Sequence, residues 1–110
     1  MTKTTSYDKE YDILTIHKGF NDDERFKGNI DIGDLVLDVS TKGKIRGIEI
    51  MNATKFFKDF KIKKSNLENM SDADFNASLK PNSIILGINI KSKQKEMPAK
   101  IAVPLQNPIS

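Results

Sequence analysis

The sequence predicts an α+β fold: an antiparallel β-meander, then short helices, then a C-terminal β-hairpin, with the helices packed on one face of the sheet. Three observations predict it. Apolar and polar residues alternate through the first half, helix-start signals crowd the middle, and alternation returns after residue 82. The 110 residues suit one domain, 1–110, divided into a four-stranded meander (1–51), a helical segment (52–80) and a hairpin (82–105). A chain of this length buries roughly two-thirds of its unfolded surface, enough to fold without staples.

"TTSYDKEYDILTIHK" reads as a hairpin turning near Lys9-Glu10, with Leu14 and Ile16 on one side and Ile13, Thr15 and His17 on the other. Residues 19–28 lack periodicity and read as an acidic loop without the alternate spacing of a calcium site. In "NIDIGDLVLDVS" the apolar parity changes at Gly33, as at a glycine bulge within one strand. "TKGK" is a turn, and "IRGIEI" is its partner strand with Ile48 and Ile50 inward.

Asn52 then has the place of a helix N-cap, with Met51 and Phe56 spaced as a hydrophobic staple. "SNLE" (65–68) offers a weaker cap. Ser71 and Asp74 suggest a third, with Met70 and Phe75 as its staple and Lys80-Pro81 as its stop. Ile84, Leu86, Ile88 and Ile90 next share one strand face. After a turn near "SKQK", Ala99, Ile101, Val103 and Leu105 share one face of a last strand, which Pro98 and Pro104 confine to a sheet edge.

Composition excludes several chemistries. Cysteine is absent, so there is no disulfide framework, thiolate nucleophile or cysteine zinc site. The single histidine, His17, is too little for a histidine metal site. No apolar run approaches the roughly 20 residues of a bilayer span, and the polar start lacks a signal-peptide core, so a cytoplasmic location without membrane contact is expected. No Walker A, G-x-G-x-x-G or G-x-S-x-G motif occurs; the glycines of "GKIRG" are read as belonging to a hairpin turn. No catalytic residue, metal or cofactor is expected.

Charge is uneven. Residues 1–54 carry 8 Lys+Arg and 10 Asp+Glu, a net of −2, and residues 55–110 carry 10 and 5, a net of +5. Lys55, Lys58, Lys61, Lys63 and Lys64 crowd ten positions and form the candidate nucleic-acid contacts. On a helix, Phe56, Phe57 and Phe60 fall within one sector of about 100°, away from Lys55 and Lys58. The phenylalanines are therefore read as core and the lysines as solvated. Asp38 and Glu49 form a candidate acidic site: with the turn at Lys42-Gly43, Asp38 faces Gly47 and lies diagonal to Glu49. Pairing of Glu49 with a basic neighbour is the competing reading.

The stretches "YDKEYDILTI" (7–16) and "GDLVLDVSTKGKIRGIEIMNA" (33–53) resemble a bacterial and archaeal family called domain of unknown function 2283. Tyr7, Asp8, Asp12, Asp38, Gly43, Gly47 and Glu49 carry the resemblance, which spans about half of the chain. It implies a compact β-meander followed by a helix, and no known activity. The expected function is a non-catalytic protein-interaction or assembly module that self-associates as a dimer or larger, since the helices offer few large apolar side chains to cover six strands' inward faces. A nucleic-acid-associated regulator using the basic helix is the alternative, and a small-molecule or metal-binding domain the third.

Overall fold

The structure, a computed structural model, describes residues 3–93 and 95–105. Met1, Thr2 and residues 106–110 of the expected domain, and Gln94 of the expected "SKQK" turn, lie outside the described residues. Strands β1 (Thr4–Asp8), β2 (Ile13–His17), β3 (Phe26–Ile32), β4 (Leu35–Ser40) and β5 (Ile45–Met51) form one antiparallel sheet, in the order β1-β2-β5-β4-β3. A helical connection follows: α1 (Ala53–Phe56), a 3-10 turn at Lys58–Phe60 and α2 (Lys64–Glu68). Strands β6 (Asp72–Leu79), β7 (Ser83–Ser92) and β8 (Lys95–Pro104) form a second antiparallel sheet in sequence order. The α+β class holds, with the weight on β.

Alternation places the core as expected. Register aligns Leu14, Ile50 and Leu35 in one cross-strand row and Ile16, Ile48 and Leu37 in the next. All six are buried. Burying each such side chain contributes about 1.5–3 kcal/mol. Ile84, Leu86, Ile88 and Ile90 do the same for β7, and the residues of both sheets join one cluster. Lys3 Nζ to Asp72 Oδ2 at 3.2 Å and Lys18 Nζ 4.5 Å above the Phe75 ring tie the sheets together at the β1–β6 side.

Four expectations are corrected. First, Gly33 is not a bulge. Gly33-Asp34 is a hairpin turn, with Gly33 at φ 60°, and β3 reaches back into the expected loop. The apolar parity changes because the chain reverses, so the first sheet has five strands. β5 also inserts beside β2, so the order is not a simple meander.

Second, the expected helix after residue 70 is β6. Ala73 and Phe75 are buried while Asp74 and Asn76 are exposed, a period of two. Eight residue pairs join β6 to β7, from Asp72↔Lys91 to Leu79↔Ile84. The Ser71–Asp74 and Met70–Phe75 spacings matched a helix start by composition only. Lys80-Pro81 lies in a hairpin turn, where the Lys80 amide donates to the Ser83 carbonyl at 2.8 Å.

Third, the segment from Ala53 to Phe60 is not one helix. α1 ends at Phe56, a 3-10 turn follows, and Lys61 stops it at φ 60°. The wheel that grouped three phenylalanines therefore does not apply. Phe57 is fully buried, whereas Phe56 and Phe60 are half-buried against the core.

Fourth, the second sheet, more than the helices, supplies cover to the first. Ala73, Phe75, Ile84, Leu86, Ile88, Ile90, Met97 and Ala99 enter the cluster, against Ala53, Phe57, Ile62 and Leu67 from the helical connection. The shortfall of covering side chains that motivated self-association is thereby filled.

β8 is an edge strand, as its prolines require. β3 forms the far edge of the first sheet and carries an irregularity between Phe26 and Gly28, which interrupts its ladder. Among the described residues no helix is long and apolar enough to cross a membrane.

Candidate polyanion-binding surface and acidic sheet face

The surface around the helical connection is positioned by a clamp. Asp8 Oδ1 accepts the amides of Glu10 and Tyr11 at 3.0 Å each, which shapes the β1–β2 turn. Asp12 follows in the left-handed region at φ 57°. Its carboxylate accepts the Tyr7 hydroxyl at 2.6 Å, the Thr54 hydroxyl at 2.6 Å and the Thr54 amide at 3.1 Å, and its carbonyl accepts the Ala53 amide at 3.0 Å. Asp12 thus satisfies the free donors at the start of α1 from 42 residues away. The expected cap, Asn52, sits at φ 52° and makes no capping bond; its side-chain amide donates to Asp34 Oδ1 at 3.1 Å. In α2 the capping oxygen is that of Asn66, which accepts the Lys63 amide at 2.8 Å, and not that of Ser65.

Burial pushes the Asp12 carboxyl up. The Thr54 hydroxyl, the Tyr7 hydroxyl and the Thr54 amide outweigh it, aided by the charge of Lys64, and hold it below its ordinary range. Burial, then the bond to Asp12, pushes the Tyr7 phenol well above its ordinary value.

All five predicted lysines, Lys55, Lys58, Lys61, Lys63 and Lys64, are exposed. The structure gathers four of them. Lys58, Lys61, Lys63 and Lys64 line one concavity of about 620 Å³ with Thr54 and Ile62; Lys55 is not in its wall. Among the described residues, none of the five forms a salt bridge. The concavity exists because the helical connection is broken: the left-handed turn at Lys61 lets residues on both sides of it converge. Ile62, buried, anchors its floor.

The outer face of the first sheet is acidic. His17, Gly47, Asp38 and Asn29 form one cross-strand row, and Thr15, Glu49, Val36 and Asp31 the next. Asp38 faces Gly47 and lies diagonal to Glu49, but not because of a turn at Lys42-Gly43: Ser40 meets Lys44 across the turn and Val39 pairs with Ile45, and a bulge at Arg46 restores the Asp38–Gly47 pairing. Asp38 is already engaged: the Asn29 side-chain amide donates to it, and His17 Nε2 lies 3.7 Å from its Oδ2. His17 Nδ1 accepts the Gly19 amide at 2.8 Å, and Phe20 packs edge-on at 5.0 Å. Among the described residues no group of three or more His, Asp and Glu could hold a metal ion.

The sequence reading missed two features here. The two glycines of "GKIRG" do not both belong to the turn: Gly43 lies in it at φ 73°, whereas Gly47 lies inside β5, as the strand reading of "IRGIEI" requires. A Cβ there would stand 2.5 Å from His17 Cδ2 and 2.9 Å from Asp38 Oδ2. A glycine within an alternating strand was the available signal. Glu24 was read as loop, yet it is buried, 3.3 Å from Arg46 Nε. The Asn21 amide, with the Ser40 hydroxyl and Arg46, holds its carboxyl below the ordinary range. Arg46 Nε also donates to the Gly19 carbonyl at 2.7 Å, so this pair pins the β2–β3 connection.

The fold and surface define a small antiparallel two-sheet protein carrying a lysine-lined concavity beside its first hairpin. Residues 5–53 match the family described as "Protein of unknown function (DUF2283)", so the first half of the chain resembles that family. The match runs from β1 to the first residue of α1 and contains Tyr7 and Asp12 of the clamp. No curated protein and no solved structure matches the chain.

Proposed function

We propose that this protein is a non-catalytic cytoplasmic interaction module that binds nucleic acid through the lysine-lined concavity. One observation carries this reading: Lys58, Lys61, Lys63 and Lys64 converge on a single concavity, and none of them forms a salt bridge among the described residues. Four like charges held close repel one another, and a polyanion relieves that repulsion. Lysines meet phosphates as point charges and read no sequence. Fluorescence anisotropy with labelled oligonucleotides tests the reading. Binding is expected at low salt, with log affinity falling linearly against log salt, by about 0.9 per phosphate neutralised on duplex DNA. Combined Lys58→Glu, Lys61→Glu and Lys64→Glu substitution should abolish it. No binding at low salt would remove this function.

A second reading, assembly with another protein or with a second copy, is favoured by an apolar crevice. Ile32, Leu35, Phe56, Ile101 and Val103 line it between the β3–β4 hairpin and β8, and Phe26 on β3 is 52% exposed. Light scattering at micromolar concentration should then give a dimer or larger species. A clean monomer removes self-assembly.

A further inference from the structure

We propose that the nucleic acid is single-stranded and that Tyr11 is its base-stacking platform. This rests on the lysine-concavity reading and adds the form of the partner. Tyr11 is 69% exposed, the most exposed large apolar side chain among the described residues. Its backbone is fixed nonetheless, because its amide is bound by Asp8 Oδ1 at 3.0 Å. The next residue, Asp12, holds Thr54 through both amide and hydroxyl. Thr54 is part of the wall that it shares with Lys58, Lys61, Lys63 and Lys64. An exposed aromatic is therefore joined to the lysine-lined concavity through only two residues, Asp12 and Thr54.

That combination is the one single strands use. Their bases offer free π-faces to an aromatic ring while cations follow the backbone. A duplex keeps its bases stacked internally and offers the ring nothing. The charges alone would favour the opposite choice, because duplex DNA carries one charge per about 1.7 Å of axis, twice that of either strand alone. A preference for single strands thus has to come from stacking, and the two contributions separate cleanly.

The experiment uses the full chain with single-stranded and duplex oligonucleotides of equal length, followed by anisotropy. Tyrosine emission is followed in parallel. The chain has two tyrosines and no tryptophan, and Tyr7 is half-buried and bonded to Asp12, so quenching on binding reports on Tyr11. The expected results are tighter binding of single strands, quenched tyrosine emission, and a loss of roughly 5- to 100-fold in single-strand affinity for Tyr11→Ala. Duplex affinity should stay unchanged in that variant, and Tyr11→Phe should retain single-strand binding. Circular dichroism should show Tyr11→Ala folded, as expected for so exposed a ring. Equal or tighter duplex binding by the parent protein, or a Tyr11→Ala variant that binds single strands normally, would overturn the proposal while leaving the polyanion reading in place. Absence of binding to either form would instead remove that reading, and this one with it.

Discussion

Asp12 joins three parts of the chain through one side chain and one carbonyl. It orients Tyr7, completes the hairpin turn and caps α1. Its carboxyl, like those of Glu24 and Asp72, is held below the ordinary range. A depressed carboxylate stabilises the fold above its unfolded value and stops doing so as pH falls through the folded one. Stability should therefore be full at neutral pH and decline below about pH 4. Denaturant titrations from neutral to acid pH should show this limb, and Asp12→Asn should flatten it. The Tyr7 phenol shifts the other way. Its contribution should be complete below about pH 10 and lost as pH rises above that. Tyr7→Phe should cost about 1.5–3 kcal/mol, one hydrogen bond to a charged acceptor. Gly47→Ala, with its new methyl driven into the His17 ring, should cost about 1–3 kcal/mol. Part of that cost should disappear in a His17→Ala background, and a double-mutant cycle in urea measures the coupling.

At the scale of elements, much of the fold was legible and the rest was not, for a physical reason. Where alternation was clean, as at Leu14–Ile16, Ile48–Ile50 and Ile84–Ile90, side-chain direction follows from the chain alone, and the core came out as read. The facing of Asp38 and Gly47 depends on a bulge at Arg46, which the turn residues alone do not reveal. β6 was lost because capping patterns report what a segment could do in isolation, whereas eight pairings to β7 decided what it does. Asn52 failed as a cap because the better acceptor came from a distant hairpin. Of the candidate site, the lysines were visible; their convergence was not, since it depends on the left-handed turn at Lys61. Tyr11 and Glu24 stood in segments read as turn and loop. The broken helix changes the expected energetics too. Phe57→Ala should cost about 3–5 kcal/mol, while Phe56→Ala and Phe60→Ala, half-buried, should each cost clearly less. Lys55→Ala should change stability by less than about 0.5 kcal/mol. Chemical denaturation of the four variants ranks them directly, and a Phe56→Ala loss exceeding that of Phe57→Ala would contradict the burial described.

Across the whole molecule, charge is segregated as well as unequal. Asp31, Asp38 and Glu49 share the outer face of the first sheet, while the concavity gathers lysines from the helical connection. Under the proposed function, the acidic sheet face would repel a polyanion and the lysines would attract it, so the protein's own field would orient the encounter. The match to residues 5–53 contains the acidic sheet but stops short of every lysine in the concavity. The proposed binding surface thus belongs to this chain's second half, clamped onto a hairpin from the first.

The division of the core between two sheets has a consequence for how the chain is made. All five strands of the first sheet are synthesised by Met51, yet the side chains that cover its apolar face come chiefly from β6, β7 and β8. At roughly 5–20 residues per second, the ribosome needs several seconds to deliver them. Through that interval the nascent first half can pair its backbone but must leave Leu14, Ile16, Leu35, Leu37, Ile48 and Ile50 facing water or a chaperone. A ribosome stalled within the lysine-rich connection would hold the chain at its stickiest moment.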